Sequence, residues 1–342
     1  MKAVVLESFG GPEVLRLREV PRPVPAPDEA LVRIRCCGVC HLDLILRTGM
    51  RSRLKPPRII GHELAGEVVE VGANVRGFAP GDRVASFNFQ ACGHCDDCRR
   101  GRPSLCRQTH GDIGQTRDGG YAEYAALLQG NLVKVPDGMA LEHACFGACV
   151  YAPPYKGIRH VGRLERGQAV VITGASGGLG LAAIQIASRL GVRSIAITSS
   201  AAKVARLAAV GADEVVVSTD GAFGDEVRRL TGGRGVDLAL ELTGSPTFQG
   251  TMRSLAPGGR VAVIGELHGK PVEINLGLLI LKEWELHGLQ SANRDELREV
   301  LAFMHDTGIE PVIWKSLPLG QAAEAHRELE GREVVGRVVL VP

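Results

Sequence analysis

The chain has 342 residues, 45 % of them hydrophobic and 23 % charged, enough for two domains each with its own core. A formal charge of +2 and 4 % aromatics argue against an electrostatic nucleic-acid binder and against base stacking. The apolar run before Glu7 is shorter than a signal-peptide core and no stretch reaches a membrane span, so the expectation is a cytoplasmic protein whose nine cysteines stay reduced.

An early strand in "MKAVVLESFGG" is followed by "VPRPVPAPDEALVRIRCCG", whose prolines read as a surface connection to "CCGVCHLDL". Cys40 lies in that last segment, and His62 and Glu63 follow in "IIGHELAGEVVEVG". Taken singly, His62 fits a hydrogen-bonded turn residue as well as a metal ligand. Residues 91–106, "ACGHCDDCRRGRPSLC", then place Cys92, Cys95, Cys98 and Cys106 in the pattern C-x2-C-x2-C-x7-C. Two-residue spacers let thiolates converge on one ion, and four of them fill a tetrahedral shell about 2.3 Å from zinc, leaving no position for a substrate. This zinc is expected to be structural, ordering a Gly-, Asp- and Arg-rich loop with little apolar material of its own. His94, inside the run, is not needed for the shell. Cys149, in "FGACVYAPPYKGI", fits a small core residue or a ligand.

From Gln168 onward, strand and helix patterns alternate: "QAVVIT", the helical "LAAIQIASRLG", then strand candidates "RSIAIT", "DEVVV", "VDLALELT" and "GRVAVIGEL". Alternation of this kind predicts a parallel, doubly wound sheet. Gly174, Gly177, Gly178 and Gly180 give G-x-x-G-G-x-G between a strand and a helix, the setting in which backbone N–H groups approach a pyrophosphate. An NAD site has Asp or Glu at the end of the second strand, bonding the ribose 2′-hydroxyl. Thr198 stands there, and no acid occurs between Glu165 and Asp213. Ser199, Ser200 and Lys203 offer hydroxyls and a cation suited to a 2′-phosphate, so NADP is expected in preference to NAD. Further candidate cofactor contacts are Ser176 and Leu179 in the glycine loop, and Thr243 and Gly265 after later strands. The tail reads as a helix in "RDELREVLAFMHDTG", then "PVIWKSLPL", a helix in "GQAAEAHRELEG" and a strand in "VVGRVVLVP".

"GVCHLD", "GHELAGEVVEVGANVRGFAPGDRV", the four-cysteine lobe, "DGGYAEYAALL" and "ITGASGGLG" occur in the order of the zinc-dependent medium-chain dehydrogenases/reductases. This alcohol dehydrogenase-like resemblance runs from Met1 to Pro342. It implies an α/β protein: a GroES-like β-barrel catalytic domain over residues 1–151, completed by 291–342, and a Rossmann doubly wound parallel-sheet domain over 152–290, with the substrate cleft between them. It also implies that Cys40, His62 and Cys149 hold a catalytic zinc, that Glu63 visits or shields this metal, and that Asp43 orients the histidine. Two zinc ions per subunit are then expected. His41 matches a contact to the cofactor pyrophosphate, while Cys36, Cys37 and Cys145 match no ligand position and are expected to be packing residues. Family habit is a homodimer or homotetramer through the sheet edges of the cofactor domain, with a small-molecule substrate and neither nucleic acid nor membrane as partner.

The activity so implied is hydride transfer between nicotinamide and an alcohol, aldehyde or ketone, with zinc polarising the carbonyl. Alcohol dehydrogenases of this type carry Ser or Thr two positions after the first cysteine ligand, and several carry His three positions further on, as a relay for the alcohol proton. Here those positions hold Leu42 and Ile45, and neither side chain moves a proton. The cofactor half and tail, in "VITGASGGLG", "TGSPTF" and "LGLLILKEWELHG", are similar to archaeal acryloyl-coenzyme A reductases, which also lack that hydroxyl. An enoyl-CoA or enone reductase, using NADPH on an activated C=C with no alcohol proton to relay, is therefore the alternative.

Overall fold

A computed structural model describes residues 1–50, 53–267, 269–331 and 333–342, which divide into two units, Met1–Cys149 with Ser291–Pro342, and Val150–Gln290. The first is built around the strand Glu29–Val39, whose Leu31, Val32, Cys36 and Cys37 are fully buried. Three strands pair with it antiparallel: Glu63–Val71, Tyr124–Leu128 and Arg337–Val341. The sheet continues through Arg83–Ser86 to Leu132–Lys134 on one side and through Ile313–Pro318 on the other. Residues 20–38 were expected as a connection, but only the part up to Asp28 is one. Prolines 21, 23, 25 and 27 cannot donate to a ladder, whereas the segment from Glu29 is apolar and β-branched enough to sit at the centre of a sheet. Slips in register between Leu31 and Val32 and between Ile34 and Cys36 mark bulges, after which the pairing runs regularly to Gly38. A smaller antiparallel sheet joins Leu15–Glu19, Lys2–Leu6 and Arg58–Ile59, and Leu6, Leu46, Ile60, Tyr121 and Leu127 lie in the common core.

The second unit is a six-stranded parallel sheet. In chain order its strands are Ala169–Ile172, Arg193–Thr198, Glu214–Val217, Val236–Glu241, Leu255–Val263 and Glu285–Gly288. Their spatial order is third, second, first, fourth, fifth, sixth, that of a Rossmann sheet. The first, second and fourth strands are almost wholly buried, as parallel strands covered on both faces must be. Helix Gly178–Leu190 lays Leu181, Ile184, Ile186 and Ala187 on the core and stops at Gly191, whose φ of 67° ends it in a left-handed turn.

Two strand readings differ from the sequence expectation. The fifth strand was placed at 259–267 but runs 255–263, because Pro257-Gly258-Gly259 loops out of the ladder: Val236 pairs with Leu255, and the pairing resumes at Leu238 with Arg260. The sixth strand, Glu285–Gly288, was not anticipated, since it lies at the sheet edge and lacks the continuous apolar run of a strand buried on both faces. Among the described residues, no helix is long and apolar enough to cross a membrane.

Candidate active site

The four clustered cysteines converge. Sγ–Sγ distances are 3.4 Å for Cys95–Cys98, 3.5 Å for Cys92–Cys106, 3.8 Å for Cys95–Cys106 and 3.9 Å for Cys92–Cys98. A tetrahedron with metal–sulfur bonds of about 2.3 Å has edges of about 3.8 Å, so the four sulfurs fit one zinc. The Cys92 amide donates to Cys106 Sγ at 3.4 Å and the Cys95 amide to Cys92 Sγ at 3.4 Å, and the backbone N–H groups of His94 and Cys95 lower the Cys92 thiol to about 6. The lobe is not wholly irregular, as it contains the short helix Asp96–Arg99 and a 3-10 turn, Pro103–Leu105, neither with a buried residue. His94 is exposed and turns to the Cys92 carbonyl, outside the set of four sulfurs.

A second group forms in the same unit from three segments of chain. Ligand atoms of Cys40, His62, Glu63 and Cys149 all lie within 4.8 Å of one another. Cys40 caps helix His41–Arg47, and Asp43, third residue of that helix, folds back to accept the Cys40 amide at 2.9 Å. The other Asp43 oxygen takes His62 Nδ1 at 3.1 Å, which points His62 Nε2 toward the cysteines, 3.6 Å from Cys149 Sγ. Gly61, with φ of +93°, makes the turn before His62, and a Cβ there would meet the Tyr121 ring at 2.3 Å. Glu63 opens the strand Glu63–Val71, and Cys149 sits on a π-helical turn, Gly147–Tyr151, a feature common at functional sites. Cys36, Cys37 and Cys145 are fully buried outside this group. Leu42 is partly buried and packs against the core.

The electrostatics suit a cation. The Cys149 thiol donates to Cys40 and holds Cys40 well below an ordinary thiol, against the burial that opposes its charge. That same contact, with burial, raises Cys149. Burial works against a proton on His62, but the Asp43 carboxylate and Cys40 outweigh it and raise its basicity. Glu63 is raised to about 7 by burial, despite the Arg337 guanidinium that hydrogen-bonds its Oε2. Its Oε1 has no protein partner among the described residues. Two sulfurs, an imidazole nitrogen and a carboxylate oxygen form a donor set that zinc accepts, and the protons they carry would leave as it binds. Arg337 was missed in the sequence. It is buried in the final strand, 5.4 Å from the Phe146 ring, and the available signal was a lone cation inside "GRVVLV".

In the second unit, Gly174 (φ +56°) and Gly177 are exposed in the turn between strand Ala169–Ile172 and helix Gly178–Leu190, with Ser176, Gly178 and Leu179 half-buried. A Cβ on Gly174 would press on Thr243 Oγ1 at 2.9 Å, and one on Gly180 would strike the Ala175 backbone at 2.5 Å, while one on Gly177 would make only an ordinary contact with the Gly174 carbonyl oxygen at 3.5 Å. The helix has no side-chain cap, so its first N–H groups are available to an anion. Thr243 and Gly265 are held beside this turn by Glu241, a fully buried acid the sequence reading did not single out. Its Oε1 accepts the amides of Thr243 at 2.9 Å and Gly244 at 2.8 Å and the hydroxyls of Thr173 and Thr247 at 2.7 Å each. The Glu241 carbonyl takes the Gly265 amide at 3.1 Å. Thr198 ends the second strand, its Oγ1 accepting the Ser200 amide at 3.3 Å, followed by exposed Ser199 and the turn Ala201–Lys203. Asp213 is committed to Ser194 at the other end of that strand, at 2.8 Å from its amide and 3.1 Å from its hydroxyl. His41 belongs to the first unit, exposed at the start of its helix.

Two family models match the chain: the alcohol dehydrogenase GroES-like domain over residues 26–137 and the zinc-binding dehydrogenase domain over residues 178–306. An acryloyl-coenzyme A reductase of Sulfurisphaera tokodaii is 35 % identical over 343 residues, spanning 100 % of both chains. An NAD-dependent alcohol dehydrogenase of Sulfolobus acidocaldarius is 35 % identical over 349 residues, spanning 99 % of each. Among solved structures, the crystal structure of AibC is similar with a TM-score of 0.95 and 44 % identity, covering 100 % of this chain and 96 % of that one.

Proposed function

The chain belongs to the zinc-binding, alcohol dehydrogenase-like family of medium-chain oxidoreductases, and from that premise we propose that it moves hydride between NADP(H) and the carbonyl or carbinol carbon of a small molecule. The observation that carries this is the convergence of Cys40, His62, Glu63 and Cys149 on one point. Zinc held there supplies Lewis-acid polarisation of a carbonyl oxygen, and the nicotinamide supplies the redox chemistry. The protein's share is positioning. Asp43 keeps the proton of His62 on Nδ1 and leaves Nε2 to the metal, while Arg337 holds one oxygen of Glu63 and leaves the other to approach or withdraw. Cys149 is the one member of the set that is partly exposed, which supports access from its side.

The preference for NADP rests on Thr198, Ser199, Ser200 and Lys203 and on Asp213 being occupied elsewhere, although several relatives are named NAD-dependent. A second reading, reduction of an activated C=C, is favoured by Leu42 and Ile45 in place of a hydroxyl relay and by the likeness to an acryloyl-coenzyme A reductase. One experiment covers both questions: the purified zinc protein assayed with NADPH and NADH against aldehydes, ketones, enones and enoyl thioesters. Carbonyl substrates are expected to turn over, with NADPH preferred by roughly 10- to 100-fold in kcat/KM, the worth of one charge-assisted hydrogen bond. Turnover confined to C=C substrates moves the function to the second reading, and a preference for NADH sinks the 2′-phosphate pocket.

We also propose a homodimer through the second unit. Leu276, Ile280 and Leu281 are 65 %, 77 % and 74 % exposed on helix Leu276–Lys282, next in sequence to the edge strand Glu285–Gly288. An apolar face beside an open sheet edge is a surface that a second copy covers. Ile280→Glu with Leu281→Glu is expected to convert the dimer to a monomer in light scattering, and a monomeric wild type would refute the proposal. Reduced thiols in both metal sites fit a cytoplasmic setting.

A further inference from the structure

Behind His62 lies a buried line of polar groups that the reading above leaves unused. Tyr121, from the turn before strand Tyr124–Leu128, and His326, on helix Ala322–Glu330, are both 0 % exposed. The Tyr121 hydroxyl is 3.2 Å from Asp43 Oδ2 and 3.2 Å from His326 Nε2, and the two rings meet edge to face at 6.0 Å.

Hydrogen-bond capacity fixes the direction of every link. The Asp43 carboxylate only accepts, and it takes the Cys40 amide, His62 Nδ1 and the Tyr121 hydroxyl. The single phenolic proton therefore goes to Asp43, so the Tyr121 oxygen must accept from His326 Nε2–H. Burial lowers His326 to about 4, with the nearby Arg47 adding to this and Asp43 opposing it, so the ring is neutral and has one proton to place. That proton on Nε2 leaves Nδ1 as an acceptor, which has no partner among the described residues. Packing alone does not call for this arrangement. Phe at 121 would fill the same volume with no hydroxyl to satisfy, and an apolar residue at 326 would avoid a buried unpaired nitrogen, which costs about 1–3 kcal/mol.

We propose that Tyr121 and His326 are positioning residues of the metal centre: His326 orients the Tyr121 hydroxyl, which pins the Asp43 carboxylate where it receives His62 Nδ1–H and so keeps His62 Nε2 aimed at the metal. This rests on the reading that Cys40, His62 and Cys149 bind zinc. The four-cysteine zinc of the same chain serves as an internal control. In the two-zinc protein, Tyr121→Phe is expected to speed release of one zinc to a chelator by about 10-fold, the low end for groups behind a ligand, with release of the other zinc unchanged and Tm lower by only the few degrees that the unpaired His326 Nε2–H costs. His326→Leu should do the same and His326→Gln, whose amide still donates, should restore the slow rate. The double variant Tyr121→Phe/His326→Leu should be no worse than either single one. Unchanged release from Tyr121→Phe overturns the inference, as does equal acceleration of both zincs, the mark of plain destabilisation. A wild-type chain that holds a single zinc instead overturns the ligand reading, and this inference with it.

Discussion

Cys40→Ala is expected to reduce the metal content from two zinc ions per chain to one and to lower kcat/KM by at least about 10³-fold, with the fold retained. The size follows from losing a Lewis acid worth several kcal/mol in the transition state. Retention of the fold follows from the geometry, since the Asp43 side chain still takes the Cys40 backbone amide, and the helix His41–Arg47 keeps that half of its capping box when Sγ is removed. A methyl group in place of a small buried thiol leaves little cavity. Elemental analysis, circular dichroism and the hydride-transfer assay together check this. Two zincs in the Cys40→Ala protein would falsify the assignment of the second site, and a collapsed Tm would mean that the cysteine is structural.

Cys92→Ala should do the reverse. The lobe around it has a four-residue helix, a three-residue 3-10 turn and two-residue strands at Phe89–Gln90 and Gly111–Asp112, so it has almost no apolar burial to hold it. Its order must come from the ion, and structural zinc contributes folding free energy directly. Losing one of four thiolates is expected to cost about 3 kcal/mol or more, roughly 6–12 °C in Tm if lobe and unit melt together. Proteolysis should start within residues 91–106. Activity per remaining folded molecule should stay within a few-fold of wild type. An unchanged Tm with abolished turnover would exchange the roles assigned to the two sites.

The two sites also differ in how far they could be read ahead of the structure. Cys92, Cys95, Cys98 and Cys106 lie so close in the chain that covalent geometry bounds the distances between their sulfurs, and the spacing alone names the site. The glycine turn was legible for the same reason, as strand, glycines and helix are consecutive. Cys40, His62 and Cys149 carried no such signal. Their meeting depends on helix His41–Arg47 following one strand, on the turn at Gly61 before the next, and on a π-helical turn far down the chain. Only the resemblance to a family suggested them.

What the sequence determined by itself, then, was everything set by short range: alternating strands and helices, the glycine turn, the four-cysteine pattern, and Leu42 and Ile45 where a proton relay would stand. Tertiary structure decided the rest. It brought Arg337 to Glu63, folded the chain so that Tyr121 and His326 stand in line behind Asp43, set Glu241 under the cofactor turn, and looped Pro257-Gly258-Gly259 out of its ladder. The reason is physical. A side-chain contact between residues near in sequence is limited by bond lengths and dihedrals, whereas one between distant strands depends on sheet register, which no local window contains.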